Sequence, residues 1–344
     1  MTKLGGKTCF IIAEAGVNHN GDVKLAERLI IAAAKAGADA VKFQTFKAEQ
    51  VTTKHSPTAA YQKKNVGENN QWKLLRPLEL NESAYPRLIQ IAKANKIMFL
   101  STPHGHIDSA KFLKPLVPAW KTGSGDLTNL PFLKWLGETG KPIILATGMA
   151  TIVEIKEAID TIAKTGNKKI IILHCTTNYP CPDNEANVGA MLDIQKNFPD
   201  YAVGFSDHTL GIDADMLAAG LGAVIIEKHF TLDRKMPGPD QQNSLEPQEL
   251  KEMVEKVRRI EVLKGSGIKK PFKSEIVIAE MARKAVIALT NIKKGKKFSH
   301  ENLTIKRPAK GGLHPKMYWE LIGKIAAKNI QADSQIHADD WQNI

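Results

Sequence analysis

Short apolar runs alternate along the chain with segments of helical periodicity, and most runs end in polar residues. Apolar runs bounded by Gly, Pro or polar residues predict buried strands, and apolar residues three or four apart predict helices. The predicted strands are 10–16, 40–45, 97–103, 119–126, 142–148, 170–176, 202–208 and 223–230. Eight strands alternating with helices predict a (β/α)8 TIM barrel, in the α/β class.

Helices are predicted between most of these strands. Asp22 is a suitable N-cap for the first helix, which ends just before Gly37. The predicted helices are 22–36, 82–95, 108–113, 130–138, 152–164, 187–197, 213–221 and 246–263.

The connection between the second and third strands, residues 47–80, is longer than an ordinary barrel loop. Loops of this length are usually lids or binding loops. The stretch YQKKN, residues 61–65, is a candidate substrate-facing patch within it. A partly helical surface insertion explains the same sequence equally well.

The chain of 344 residues suits one barrel followed by a small domain. The amino-acid composition changes after Leu263, where KGSGIKKPFKSE is rich in Gly, Lys and Pro. We predict a barrel domain over 1–265, a linker over 266–284 and a second domain over 285–344. The second domain is small for independent stability, so we expect it to pack against the barrel or a second subunit.

The formal net charge of +12 raises the possibility of nucleic-acid binding. However, aromatic residues make up only 6% of the chain, and no long basic block contains them. Diffuse surface charge that attracts anions is the better interpretation, and neither nucleic acid nor membrane is expected as a partner. The three cysteines, Cys9, Cys175 and Cys181, form no metal-binding spacing, and a cytoplasmic location is predicted.

Polar residues lie at or near the ends of most predicted strands. They are Glu14, Lys42, Thr102, Lys121, His174, Ser206 and His229. Because the carboxyl ends of barrel strands meet at one face, we expect these side chains to form an active site.

His208 and His229 end the seventh and eighth predicted strands, which are neighbours in a barrel. Two adjacent imidazoles can share a divalent metal, with water and substrate completing its ligands. A single strand-end histidine more often makes a structural hydrogen bond, but the pair favours a metal site that acts as a Lewis acid.

Lys42 and Lys121 point into the same predicted mouth, and TGSGD follows Lys121 directly. Paired lysines with a tight glycine loop at Ser124 favour a phosphate or carboxylate site. A lysine with a lowered pKa could instead form a Schiff base. Thr102 and Ser206 offer hydroxyls to the same pocket.

Three carboxylates, Glu14, Asp126 and Asp240, are candidates for sugar binding or proton transfer. Glu14 ends a strand, which favours a functional role. Asp240 lies in the Pro/Gly loop MPGPDQQNS, where a turn role is a serious alternative.

Taken together, these segments resemble the sialic acid synthase family, which includes N-acetylneuraminate, legionaminate and pseudaminate synthases. The matching strings are AEAGVNHNG, VKFQTFKA, FLSTP, KTGSGD, LATGM, LHCTTNYP, GFSDHTLG, IEKHFTLD and GPD. They occur in the family's order along nearly the whole barrel. The C-terminal segment with IKRPAKGG resembles that family's antifreeze-like SAF domain.

The resemblance implies a metal-assisted condensation of phosphoenolpyruvate with an open-chain N-acetylated amino sugar, with release of phosphate. It implies that His208 and His229 bind the metal, usually Mn²⁺, with Mg²⁺ or Co²⁺ possible. Phosphoenolpyruvate would be held by Lys42, Thr102, Lys121, Ser124 and Ser206. Thr177 stands where some members use an Asn toward phosphoenolpyruvate. The sugar would face Glu14, Gln44, Asp126, Tyr179 and Asp240, and Arg307 would reach the partner's site in a domain-swapped homodimer.

N-acetylmannosamine is the predicted sugar, because YQKKN and KFQTFKA are closest to the N-acetylneuraminate enzymes. A diacetamido-trideoxy sugar, leading to legionaminate or pseudaminate, is the runner-up. A Schiff-base pyruvate aldolase that uses Lys42 or Lys121 is a more distant alternative. A non-catalytic binding protein is disfavoured, because such a barrel has no need for so many polar strand ends.

Overall fold

A computed structural model describes residues 6, 8–104, 106–308 and 311–342. The barrel strands are β1 (Phe10–Gly16), β2 (Ala40–Thr45), β3 (Met98–Pro103), β4 (Trp120–Lys121), β5 (Ile143–Ala146), β6 (Ile170–Cys175), β7 (Ala202–Asp207) and β8 (Ile225–His229). They form a parallel sheet in the order β3-β2-β1-β8-β7-β6-β5-β4. Because β3 and β4 are also neighbours, the sheet curves into a nearly closed barrel, and the predicted fold class is confirmed.

Alternation along each strand separates two apolar layers. Phe10 and Ile12 of β1 face the barrel interior, whereas Ile11 and Ala13 face the surrounding helices. The interior layer also contains Ala40, Leu100, Ala119, Ile144, Ile171, Leu173 and Ile225. Since side chains two residues apart share a face, each interior residue fixes which polar residue near the strand end points into the mouth.

Helices pack outside the barrel strands, and local caps set several of their ends. The N-cap Asp22 accepts bonds from Lys24 N and Leu25 N, and Thr151 and Glu154 form a capping box. The helices of this unit are α1 (Val23–Lys35), α2 (Ala48–Val51), α3 (Ala60–Val66), α4 (Gln71–Leu75), α5 (Tyr85–Ala94), α6 (Ile107–Leu113), α7 (Leu130–Glu138), α8 (Ile152–Ala163), α9 (Asp183–Ala186), α10 (Ala190–Asn197), α11 (Asp213–Leu221) and α12 (Pro247–Lys264).

The fourth strand is shorter than predicted. The sequence predicts a strand over 119–126, but β4 ends at Lys121, and Ser124–Asp126 form a turn of 3-10 helix. The backbone N–H of Asp126 donates to the carbonyl of Gly123. This turn bends the chain across the mouth of the barrel instead of extending the strand.

The long connection after β2 is folded and partly helical. It contains α2, α3, α4 and short 3-10 turns, and Leu74, Leu75 and Leu78 pack with Val17 and Phe46 in a separate small core. Asn65 Nδ2 donates to the carbonyl of Pro239 over 2.7 Å, which ties α3 to the loop after β8. Helix and loop therefore lie together at the carboxyl end of the barrel.

The chain divides into two compact units, Met1–Gly265 and Ser266–Ile344. Ten residues of the predicted linker form a helix, α13 (Lys273–Ala282), because KSEIVIAEMA lacks Gly and Pro and Glu275 caps the N–H of Phe272. The second unit continues with β9 (Ala285–Ala288), β10 (Leu303–Lys306), α14 (Tyr318–Leu321), β11 (Ile325–Ala326) and β12 (Trp341–Gln342). Its strands pair as two antiparallel ribbons around Val286, Phe298 and Leu321.

Residues 309 and 310 of the PAKGG segment lie outside the described residues. No helix within the described ranges is long and apolar enough to cross a lipid bilayer.

Candidate active site

Polar side chains on the interior face of the strands meet at the carboxyl end of the barrel. Glu14 lies two residues after Ile12, and Lys42 lies two residues after Ala40, so both side chains share the interior face of their strands. A cavity of about 70 Å³, called the central cavity below, lies between them. It is lined by Glu14, Lys42, Gln44, Thr102, His104, Lys121, Gly123, Ser124, Ala146, Cys175, Tyr179, Ser206, His208, Glu227 and His229.

Two lysines and two glutamates form a buried ion cluster in this cavity. Lys42 Nζ lies 2.6 Å from Glu14 Oε2 and 3.9 Å from Glu227 Oε2, and Lys121 Nζ lies 3.3 Å from Glu227 Oε1. All four side chains are nearly inaccessible to solvent. Charges at these distances interact strongly when little water screens them, so the cluster holds two cations ready for an anionic ligand.

The ion cluster shifts the pKa of each member. Burial raises the pKa of Glu14 to about 6, although Lys42 opposes the shift. Burial would also raise the pKa of Glu227, but Lys121 and Lys42 lower it on balance. Burial lowers the pKa of Lys121, whereas for Lys42 the neighbouring Glu14 and Glu227 outweigh burial and raise the pKa. Glu14 is thus the carboxyl that accepts a proton most readily.

Hydroxyl groups surround the lysines. Lys42 Nζ donates to Thr102 Oγ1 over 3.1 Å, and Ser206 Oγ donates to Glu227 Oε1 over 3.2 Å. Ser124 Oγ accepts the backbone N–H of Gly148 at 3.1 Å. A Cβ on Gly148 would lie 2.7 Å from Ser124 Oγ, so only glycine leaves room for this close approach.

His208 and His229 lie side by side, with ring centroids 5.5 Å apart. Nδ1 of His208 donates to the carbonyl of Thr176 over 2.7 Å, which leaves Nε2 as the nitrogen with a free lone pair in the neutral ring. Nδ1 of His229 is buried with no hydrogen-bond partner among the described residues. Burial, followed by the charge of His208, lowers the pKa of His229 well below its usual range. A neutral imidazole has the lone pair that a metal ligand needs.

No group of three or more His, Cys, Asp or Glu side chains in the described parts of the chain is arranged to hold a metal ion. The candidate protein ligands therefore stay at the two histidines. With two protein ligands, a metal here would need water or substrate to supply the others.

Tyr179 covers the histidines. Its ring centroid lies 4.0 Å from that of His208 and 5.6 Å from that of His229. Tyr61 of α3 stacks on Tyr179 at 5.0 Å, so the long connection contributes an aromatic side chain above the central cavity. The YQKKN segment is helical and lies beside the site, so its position agrees with both interpretations of the sequence.

The remaining predicted carboxylates lie at the margin of the cavity. Gln44 Nε2 donates to Glu14 Oε1 over 3.2 Å, which joins the predicted sugar-facing pair. Asp126 Oδ2 lies 4.0 Å from His104 Nδ1 and is close to Gly123. Asp240 is buried, and its Oδ1 has no hydrogen-bond partner within the described chain. Burial raises the pKa of Asp240 to about 6, although the charge of His208 opposes the shift.

Five candidate residues do not line the central cavity: Asp126 and Asp240 lie at its margin, and His174, Thr177 and Arg307 lie elsewhere. His174 follows Ile172, which faces the helices, so its ring stacks on Phe205 and its Nε2 contacts the carbonyl of Ala186. This alternation explains why the strand-end position of His174 was misleading. Thr177 lies against Gly148 and lines adjacent cavities instead, and Arg307 is exposed after β10 in the second unit.

Sequence reasoning missed three residues with polar or thiol side chains that line the central cavity: Glu227, His104 and Cys175. Glu227 carried a readable signal, because a charged residue two positions before His229 in an apolar strand must share its face. Cys175 follows Leu173 in the same way, and its Sγ lies 3.6 Å from His208 Nδ1. His104 follows β3 and had no comparable signal.

Known proteins match the chain along nearly its whole length. The NeuB family model matches residues 29–269, and the SAF domain model matches residues 283–341. An N,N'-diacetyllegionaminic acid synthase of Campylobacter jejuni is 48% identical over 334 residues, which cover 96% of this chain and 99% of that protein. A second protein of that name, from Legionella pneumophila, is 41% identical over 98% of this chain and 95% of its own length.

A solved structure shares the fold. The crystal structure of an N-acetylneuraminic acid (sialic acid) synthetase from Leptospira borgpetersenii, in complex with citrate, aligns with a TM-score of 0.72 and 34% identity. The alignment covers 80% of this chain and 92% of that one. The family predicted from the strand-end motifs is confirmed, as is the class of carbon–carbon bond-forming transferase. The chain therefore belongs to the NeuB family and carries a SAF domain after its catalytic barrel.

Proposed function

We propose that this enzyme condenses phosphoenolpyruvate with a 2,4-diacetamido-trideoxy sugar to form N,N'-diacetyllegionaminic acid and phosphate. The observation that carries the choice of sugar is the 48% identity to a protein of that name, against 34% to the sialic acid synthetase. N-acetylmannosamine, the sugar predicted from short motifs, becomes the second candidate. The motifs YQKKN and KFQTFKA are too short to outweigh identity over the whole chain.

The ion cluster supports phosphoenolpyruvate binding. Lys42 and Lys121 are buried cations 3.1 Å from a threonine hydroxyl and 3.3 Å from Glu227, respectively. In the proposed complex they hold the phosphate and carboxylate groups, and Thr102, Ser124 and Ser206 donate hydrogen bonds. The fixed ligand then presents its vinyl carbon toward the sugar aldehyde.

The histidine pair supports the binding of a divalent cation. Mn²⁺ is the first candidate, and Mg²⁺ and Co²⁺ are the alternatives. His208 and His229 would hold it, and the remaining positions are open to water or substrate. When bound, it would act as a Lewis acid toward the aldehyde oxygen.

Glu14 is proposed to transfer a proton. In the proposed reaction the vinyl carbon bonds to the aldehyde carbon, and the aldehyde oxygen takes up a proton. With a pKa of about 6, Glu14 is protonated in a fraction of the molecules near neutral pH and can supply that proton. Water then adds to the cationic carbon and loses a proton, and the carbon–oxygen bond to phosphate breaks. Asp126, Gln44, Tyr179 and Asp240 are proposed to orient the sugar.

The path of the bridging oxygen tests the bond that breaks. Cleavage between carbon and oxygen leaves the bridging oxygen in the released phosphate, because positive charge develops on carbon. Phosphoenolpyruvate with ¹⁸O at the bridge should therefore give labelled phosphate by mass spectrometry. Unlabelled phosphate would mean that the phosphorus–oxygen bond breaks instead.

Phosphate release from phosphoenolpyruvate tests the whole proposal. We expect release to require sugar and Mn²⁺, to stop with EDTA, and to be faster with the diacetamido sugar than with N-acetylmannosamine. Lys121→Met should abolish it, whereas the matched change at exposed Lys134 should not. Faster release with N-acetylmannosamine would make the second candidate the function.

The remaining alternatives have their own readouts. Borohydride trapping of pyruvate on the enzyme, unaffected by EDTA, would favour the Schiff-base aldolase.

We further propose a domain-swapped homodimer in which Arg307 reaches the partner's site. Mixing Arg307→Ala with Lys121→Met subunits should then restore activity, since one site per mixed dimer would be intact.

A further inference from the structure

The loop that carries His208 is joined to the strand that carries His229 by one buried ammonium group. In β8, Glu227 and His229 face the central cavity. Lys228 lies between them, so its side chain points to the opposite side, toward α11. Only 1% of Lys228 is exposed, which is unusual for a lysine and requires buried partners.

Three oxygens surround the Lys228 ammonium. It donates to the carboxylate of Asp207 at the end of β7 and to the carbonyl of Thr209 over 2.7 Å. The carboxylate of Asp215, in the first turn of α11, lies 3.7 Å away. Asp207 and Lys228 are also direct neighbours in the strand ladder.

Thr209 is held at every polar atom that it has. Its N–H donates to Asp207 Oδ1 over 2.8 Å, and its hydroxyl donates to Asp207 Oδ2 over 3.0 Å. Its carbonyl accepts from Lys228. Because His208 lies between Asp207 and Thr209, both backbone neighbours of this histidine are fixed to the same buried ion pair.

We infer that Lys228 is a positioning residue that fixes the His208 imidazole relative to His229 by holding Asp207 and Thr209. It does not line the central cavity, so its effect reaches the site through the backbone of His208. The inference rests on the proposed function only in assigning a cation to the two histidines. Outer groups that orient metal ligands typically change metal affinity about 10–100-fold.

Mn²⁺ titration of the EDTA-treated full-length protein, followed by the electron paramagnetic resonance signal of free Mn²⁺, tests this role. Lys228→Met should weaken Mn²⁺ binding about 10–100-fold, since methionine replaces the apolar stem but lacks the ammonium group. Lys228→Arg keeps the positive charge and should restore most of the affinity. Wild-type affinity in Lys228→Met would overturn the inference.

A milder pair of variants keeps the test decisive if Lys228→Met does not fold. Thr209→Val removes only the hydroxyl that reaches Asp207, whereas Thr209→Ser keeps it. We expect weaker Mn²⁺ binding in the first and wild-type binding in the second; equal binding in both would count against the mechanism. Arg258→Met is the control for simple destabilisation, because it breaks a 2.6 Å ion pair with Asp39, which precedes β2 at the opposite barrel end.

Histidine NMR provides a readout without metal. In ¹⁵N-histidine-labelled protein with EDTA, ring signals of His208, identified by their loss in His208→Gln, should shift or broaden in Lys228→Met. Unchanged signals would refute the positioning role. Failure of the wild-type protein to bind Mn²⁺, with changed ring signals in Lys228→Met, would remove the metal from the proposed function and leave the positioning role intact.

Discussion

Replacing Asp240 with Asn should stabilise the substrate-free enzyme at neutral pH. Asp240 is a buried carboxyl whose pKa rises from 3.8 to about 6 on folding. Its Oδ1 has no hydrogen-bond partner among the described residues, so ionisation in the folded state is poorly compensated. A neutral amide of the same shape avoids that cost.

The size of the stability change and the pH range in which it occurs follow from the shift in the pKa of Asp240. Each pKa unit is worth about 1.4 kcal/mol, so a rise from 3.8 to about 6 corresponds to about 3 kcal/mol. Because the folded pKa is raised, the carboxyl does not reduce stability below the unfolded value of 3.8. The free energy of unfolding then falls as the pH rises from 3.8 to about 6, and it levels off above about 6, where the folded state ionises as well.

Urea unfolding of both proteins with EDTA, at about pH 4.5 and about pH 7.5, measures the effect. The stability of Asp240→Asn relative to wild type should increase by about 2 kcal/mol between these pH values. Comparing the two pH values cancels the constant difference between a buried amide and a buried acid. Asp200→Asn, an exposed change of the same charge, is the control. A pH-independent difference for Asp240→Asn would refute the reasoning.

Two further predictions concern other contacts of the site. Glu227→Gln removes the partner of Lys121 and should lower the free energy of unfolding of the free enzyme by about 3 kcal/mol, with part of the loss recovered when phosphoenolpyruvate is bound. Urea titration measures this change, and Glu138→Gln, which alters an exposed ion pair, should leave the stability unchanged. Tyr61→Ala removes the ring stacked on Tyr179 and should raise KM for the sugar about 3–10-fold without changing KM for phosphoenolpyruvate. Tyr61→Phe keeps the ring and should leave both KM values unchanged in steady-state kinetics, and equal effects of the two variants would contradict a stacking role.

Much of the barrel could be predicted because alternation within a strand is a local property. The bounds of β1 and β2 agree with prediction, and their interior residues lead directly to Glu14 and Lys42. His174 shows the limit of using strand ends alone, since its face is set by Ile172 and not by its position. Glu227 was missed because attention to the strand end selected His229 and not the charged residue two positions before it.

Other features depend on contacts between distant segments and had no local signal. The stacking of Tyr61 on Tyr179 joins two loops more than a hundred residues apart in the sequence. The burial that raises the pKa of Asp240 likewise comes from the folded chain around a Pro/Gly loop. The turn that shortens β4 is local, but apolar periodicity does not reveal that the strand ends at Lys121.

The ion cluster predicts that phosphoenolpyruvate binding is coupled to proton uptake. In the free enzyme Glu14 has a pKa of about 6 and is mostly ionised near pH 7. An anionic ligand on Lys42 would place like charge beside Glu14 and compete for its cation, and both effects raise the pKa of Glu14 further. Glu227, whose pKa is lowered by Lys121 and Lys42, stays ionised. The complex should therefore take up a fraction of one proton near pH 7.

Isothermal titration of phosphoenolpyruvate, in EDTA and in two buffers of different ionisation enthalpy, measures this uptake. The apparent binding enthalpy should differ between the buffers for the wild-type enzyme and agree between them for Glu14→Gln. Equal enthalpies in both buffers for the wild-type enzyme would mean that Glu14 keeps its charge beside the bound anion. A proton taken up at this step is already in place when the aldehyde oxygen needs one, so binding of the anionic substrate would itself prepare the acid for the condensation.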